Sequence, residues 1–186
     1  SGNWLWAIKA GGILTEQGID IVADSSGNCF VTGLFRGTAA FDAINITSTG
    51  SANADIFIAK LNSSGEWLWA TKAGNTGLDQ GLGIVADSSG DCYVTGVFQG
   101  TTAFGSTSLT STGEQDIYVA KLNASGNWLW AIKAGGLAID TCFGIDIDSL
   151  NNCYVTGGFR GTASFGDTTL IGGAAKSSAF VAKFKG

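Results

Sequence analysis

Residues 18–41 read GIDIVADSSGNCFVTGLFRGTAAF. The run V-T-G-L-F and the run G-I-D-I-V-A are rich in β-branched and aromatic residues, and Asp24 to Asn28 (D-S-S-G-N) separates them. Two apolar runs around such a tract read as a β-hairpin, with Gly27 free to take a positive φ. The stretch returns twice, as GLGIVADSSGDCYVTGVFQGTTAF at 81–104 and CFGIDIDSLNNCYVTGGFRGTASF at 142–165. A second block, DIFIAKLNSSG at 55–65, returns as DIYVAKLNASG at 116–126 and, degenerate, as SAFVAKFKG at 178–186. A third is SGNWLWAIKAGG at 1–12, SGEWLWATKAGN at 64–75 and SGNWLWAIKAGG at 125–136. Trp4, Trp67 and Trp128 mark offsets of 63 and 61. Self-similarity at a fixed period decides the architecture before any local reading does.

Each repeat holds four strands: G-x-x-I-V-A-D, N-C-F-V-T-G-L-F, D-I-F-I-A-K-L and W-L-W-A-I-K-A. The extended piece INITST at 44–49 is a candidate fifth. Both faces of these strands are apolar, so other sheets must cover both sides. No stretch has helical periodicity. The expected fold is all-β: three tandem four-stranded antiparallel units of about 62 residues, packed like propeller blades. The units span approximately 1–63, 64–124 and 125–186 of a single repeat domain. Propellers usually have 4–8 blades, and this chain has three units. It opens with a W-L-W-A strand and closes after an A-K-F strand. The first strand is therefore expected to complete the last blade, or the blade of a neighbouring chain.

D-S-S-G-N-C-F-V-T-G, followed by G-T-A-x-F and D-I-F-I-A-K-L, resembles the bacterial SBBP-type β-propeller repeat. The resemblance covers all three units. It implies propeller blades and placement in secreted or cell-surface proteins, and it implies no chemistry. Cys29, Cys92 and Cys153 depart from the aliphatic residue usual in that family.

The chain of 186 residues carries a net charge of −5, and only 13% of it is charged. Its ten basic residues are scattered singly, which argues against nucleic acid and anionic membrane. No apolar run approaches the roughly 18–20 residues of a spanning helix, so membrane insertion is not expected. The opening in mid-motif at Ser1-Gly2-Asn3 suggests a processed product or an excised segment.

With no histidine, a nucleophile triad lacks its usual base, and zinc or haem ligation is not expected. No cofactor is expected. Asp24, Asp87 and Asp148 open the three hairpin turns, where an Asp side chain caps backbone N–H groups. Glu16, Asp79 and Asp140 stand at equivalent positions before the first strand of each unit. One acid copied three times into one environment marks a structural role rather than a catalytic pair. Asp87 and Asp91 in D-S-S-G-D are a weak calcium candidate, since hard cations take such oxygens. Trp4, Trp6, Trp67, Trp69, Trp128 and Trp130, with Phe180 and Phe184, read as inter-blade core and assembly residues; the alternative is sugar stacking. Cys142 stands where Gly18 and Gly81 stand, and a bridge to Cys153 across the third hairpin is a candidate, although the turn sets the two out of register.

Two functional readings follow. One is a non-catalytic extracellular structural protein that self-associates by strand complementation, into a filament or a closed oligomer. The other is a carbohydrate- or protein-binding module with repeated sites. An enzyme would need one unit to depart from the others at a cleft, and Cys142, Asp146 and Asn151 are the departures of unit three.

Overall fold

The computed structural model describes residues 1–50 and 52–186, and no helix occurs among them. The first blade is an antiparallel sheet in the order β1 (Glu16–Ala23), β2 (Cys29–Phe35), β5 (Asp55–Leu61), β6 (Trp67–Ala73). The second repeats it with β7 (Gln80–Ala86), β8 (Cys92–Phe98), β11 (Asp116–Leu122) and β12 (Trp128–Gly136). The third has three strands, β13 (Thr141–Ile147), β14 (Asn152–Phe159) and β17 (Ser178–Lys185). The fourth strand expected there does not form among the described residues. Residues 1–10, the remaining copy of W-L-W-A-I-K-A, pair with no strand among the described residues.

The V-T-G motif explains the register of every blade. Thr32, Thr95 and Thr156 each donate a hydroxyl hydrogen bond to the carbonyl of the facing strand, at Phe57 (3.0 Å), Tyr118 (2.8 Å) and Phe180 (2.8 Å). The next residue is Gly33, Gly96 or Gly157. Here the first strand of the blade bulges, and its carbonyl (Gln17, Gln80 or Thr141) occupies the place a Cβ would take. Only glycine fits so close an approach.

Three hairpins stitch the blades together. They are β3 (Thr38–Phe41) with β4 (Ile44–Thr47), β9 (Thr101–Phe104) with β10 (Thr107–Thr110), and β15 (Thr162–Phe165) with β16 (Thr168–Ile171). The INITST piece is thus half of a hairpin, not a fifth strand of its own sheet. Each hairpin crosses to the outer strand of the preceding blade: Ala103 bridges Gly74, and Ala163 and Ser164 pair with Gly136 and Gly135. The blades stack face to face with their first strands side by side. The Ile84 N–H donates to Asp20 Oδ2 at 2.8 Å between blades one and two. A Cβ on Gly83 would lie 3.2 Å from the Phe143 carbonyl between two and three. One core sits at each junction. Phe30, Ile56 and Ile58 pack against Val94, Tyr118 and Leu122, while Ile117 and Val119 pack against Val155 and Phe180.

A buried acid pair closes each junction. Asp55 Oδ2 accepts from the Thr49 N–H (2.8 Å) and lies 3.1 Å from Lys72 Nζ. Its neighbour Asp79 accepts from the Asn75 N–H (2.8 Å) and the Thr102 hydroxyl (2.9 Å), and its own N–H donates to the Ala54 carbonyl. Asp116 and Asp140 repeat the arrangement around Lys133 and Gly136. Burial pushes the Asp79 carboxyl up to about 6, with nearby Asp55 adding to the shift and the hydrogen bonds opposing it.

Two predictions follow from this packing. Gly96→Ala forces a methyl against the Gln80 carbonyl and is expected to cost about 3 kcal/mol, read as a lower urea midpoint; a loss under about 0.5 kcal/mol would show that the bulge is not constrained. The Asp79 carboxyl is expected to titrate near pH 6 by carbon NMR. Its folded value lies above the unfolded one, so ionisation opposes folding. Its contribution to stability is greatest below about pH 4 and declines as the pH rises through 6, by on the order of 3 kcal/mol in all. A midpoint below pH 4 would contradict this account.

Candidate interaction surface

The repeated polar residues are occupied with structure. Asp24, Asp87 and Asp148 each accept two backbone N–H bonds within their turns, for example from Ser26 and Asn28, both at 2.9 Å. Bonds from the Asn152 side chain and backbone hold the Asp148 carboxyl down at about 2. Asn62 caps its own turn in the same way. Lys60, Lys121 and Lys183 lie over the rings of Phe30, Tyr93 and Tyr154 at 4.5, 4.7 and 4.9 Å. Lys121 Nζ also stands 3.5 Å from Asp87 Oδ2 and 3.2 Å from Asp91 Oδ2. An ammonium therefore fills the position that a calcium ion would need. Among the described residues, no three His, Cys, Asp or Glu side chains converge as metal ligands.

The four cysteines are free. Cys142 lies opposite Gly157 and Cys153 opposite Ile147, so the candidate bridge does not form. The separation is the register offset visible in the sequence. Burial pushes the Cys92 thiol up to about 12 and the Cys153 thiol up to about 11, which leaves both unreactive at neutral pH. Asp146 and Asn151 belong to the third hairpin, where Asn151 takes the positive φ (60°) that glycine supplies in the other two.

The tryptophans divide into two groups. Trp67, Trp69, Trp128 and Trp130 are half-buried against the cores, as in the edge-to-face contact of Trp128 with Phe104 at 5.3 Å. Phe180 is buried in the third blade, and Phe184 meets Trp130 edge-on at 6.1 Å. Trp4 and Trp6 depart from the expected core: they are 94% and 39% exposed. The segment they belong to pairs with no strand among the described residues. That segment is nonetheless held in place. Gly11 and Ala40 exchange two backbone hydrogen bonds, at 2.9 and 3.1 Å. Trp6 Nε1 donates to the Ser63 carbonyl at 3.2 Å, just as Trp69 Nε1 donates to the Ala124 carbonyl at 3.0 Å. The segment thus occupies the outer-strand position of a blade whose other strands are absent.

Two open ends result. On one, the first blade presents an apolar cleft of about 270 Å³ lined by Trp6, Ile8, Ile21, Val31, Phe57 and Leu61. At its margin Glu16 keeps a buried Oε1 with no hydrogen-bond partner. On the other, β17 pairs with β14 alone, which leaves its outer backbone edge open, and Val181 beside it is 78% exposed. The repeat phase announces these ends. The hairpin stitch and the unpartnered Glu16 oxygen become visible only in three dimensions, because both depend on contacts between repeats.

No protein-family model matches the chain. It is 27% identical over 217 aligned residues to an uncharacterized WD repeat-containing protein of Acanthamoeba polyphaga mimivirus. The match covers 97% of this chain and 16% of the relative's length. Together with the three stacked sheets, this likeness makes the chain a repeat protein of β-propeller type.

Proposed function

We propose that this chain is a non-catalytic assembly module that associates through its two open blade ends. The observation that carries the reading is the pairing deficit: a held but unpaired W-L-W-A strand at one end, and an open β17 edge at the other. Exposed sheet edges beside apolar surface favour pairing with another chain. The likeness to a WD repeat-containing protein supports protein interaction as the general role. The cleft favours a protein surface over a sugar, since Glu16 and Gln17 are the only charged or amide side chains around it. Lys60, Lys72, Lys121 and Lys133 already stand beside acids, and three of the four thiols are buried, which supports a role without catalysis. Placement outside the cell or on its surface belongs to the same reading. It rests on the SBBP-type resemblance and on the low charge content.

Light scattering over a concentration series is the first test. Self-association is expected. Ile8→Pro is expected to reduce it at least tenfold, because proline removes a backbone donor from a strand that pairs with nothing in the single chain. Circular dichroism of that variant should match the parent. A mass of 19.0 kDa at every concentration would sink the proposal.

A further inference from the structure

Resting on the placement outside the cell in that reading, we infer that Asn45 is an acceptor for an N-linked glycan, carried on the outward face of the β3–β4 hairpin.

Three Asn-x-Ser/Thr triplets occur: Asn45-Ile46-Thr47, Asn62-Ser63-Ser64 and Asn123-Ala124-Ser125. Such a triplet, without proline in the middle, is the acceptor sequence for N-glycosylation, and the attached sugar is bulky and needs a surface position. The structure separates the three.

Asn62 and Asn123 occupy the same turn in successive blades, and both are engaged there. Asn62 Oδ1 accepts from the Ser64 and Glu66 N–H groups, both at 3.0 Å, and its Nδ2 donates to Glu66 Oε2 at 2.7 Å. Asn123 Oδ1 accepts from the Ser125 and Asn127 N–H groups, again at 3.0 Å. Turn capping selects asparagine at both positions. The turns are also pressed against neighbouring elements. A Cβ on Gly126 would lie 2.8 Å from the Trp69 ring, and the Ala124 N–H donates to Asp91 Oδ1 at 3.1 Å. The Ser63 carbonyl accepts from Trp6 Nε1. Both asparagines are half-buried.

Asn45 differs in each respect. It lies within β4, where Ile44 and Ile46 pack on the first-blade core while Asn45 and Thr47 are exposed. The two-residue period of a strand puts Asn45 and Thr47 on one face. Across the hairpin they stand opposite Ala40 and Thr38. Ala40 is a single methyl, so its side chain leaves the space over Asn45 open. The Thr38 and Thr47 hydroxyls meet at 2.9 Å on the same face. Asparagine is a poor strand former, and its counterparts in the other two hairpins are Ser108 and Thr169. Neither the repeat nor a turn requires an amide at position 45; a glycan does.

The co-substrate is an oligosaccharide carried on a polyprenyl diphosphate. Asn45 Nδ2 bonds to the anomeric carbon of the first sugar. The bond from that carbon to the diphosphate oxygen breaks, the polyprenyl diphosphate leaves with its electron pair, and Nδ2 gives up one proton. Asn45 is not among the residues that line the apolar cleft, and it lies on neither the W-L-W-A segment nor β17. A sugar there is compatible with association through the blade ends.

The test is export of the 186-residue chain from a glycosylating eukaryotic cell behind a cleavable signal sequence. Intact mass is read before and after enzymatic release of N-linked sugar, which converts the carrying asparagine to aspartate. A mass above 19.0 kDa that falls on release is expected, with conversion at position 45 alone. Asn45→Gln and Thr47→Ala are each expected to abolish the added mass. Ser64→Ala with Ser125→Ala, which removes the other two triplets and keeps both capping asparagines, is expected to retain it. An exported chain unconverted at position 45, or sugar at position 62 or 123, would overturn the inference. Light scattering of the same material reads assembly separately. Association of a chain bare at Asn45 would overturn the acceptor site alone, and a glycosylated monomer would overturn the assembly reading alone.

Discussion

Every blade of this protein is apolar on both faces, and that constraint governs the rest. Phe30, Ile56 and Ile58 point one way while Val31, Phe35 and Phe57 point the other, along the same two strands. A sheet of this kind cannot present one side to water, as an ordinary half-buried sheet does. It must be sandwiched, and in a tandem repeat the only available cover is the next repeat. The middle blade is covered on both faces. The outer blades each have one face covered and one open, which leaves Ile21 and Val181 exposed although their counterparts Ile84 and Val119 are buried.

The hairpin stitch converts this packing preference into a defined geometry. Apolar faces alone would let blades slide, because burial is non-directional. Two backbone hydrogen bonds at Gly11–Ala40, and the corresponding bridges at Gly74–Ala103 and Gly135–Ser164, fix each blade to the outer strand before it. The acid pairs lie beside those bridges. Their buried carboxylates keep Lys72 and Lys133 close and hold the loop N–H groups, so the junction carries directional bonds as well as area. Burial raises the Asp79 and Asp140 carboxyls, so their ionisation weakens the fold while their hydrogen bonds fix its arrangement.

Much of this was legible in the sequence, and what was not has a common cause. The repeat period, the strands and the Asx turns are local, and residues such as Asp24 and Gly27 state their roles within a few positions. The stitch was not legible: Thr38–Phe41 is four residues long, and the strand position it bridges to, at Gly11, belongs to a different blade. The W-L-W-A copies show the limit most clearly. Residues 4–10 and 128–134 differ in no side chain, yet one is a strand and the other is not. Strand formation depends on a partner, and sequence propensity describes only fitness for one.

Residues 1–12 and 125–136 are identical, so the outer strand has kept every side chain that the second blade uses, including Trp4 and Trp6, which a single chain leaves in water. The facing strand has changed. Ile56 and Ile117 become Ala179, Asp55 and Asp116 become Ser178, and Leu61 and Leu122 become Phe184. Ala179 is smaller than Ile56 and Ile117, which reduces the apolar area that the open face of β17 exposes. Ser178 stands where Asp55 and Asp116 stand, and Glu16 where Asp79 and Asp140 stand, so the open ends carry one acid where each internal junction carries two. The open ends therefore differ from the internal junctions in side-chain volume and in charge, while the outer-strand segment keeps the sequence of its half-buried copy.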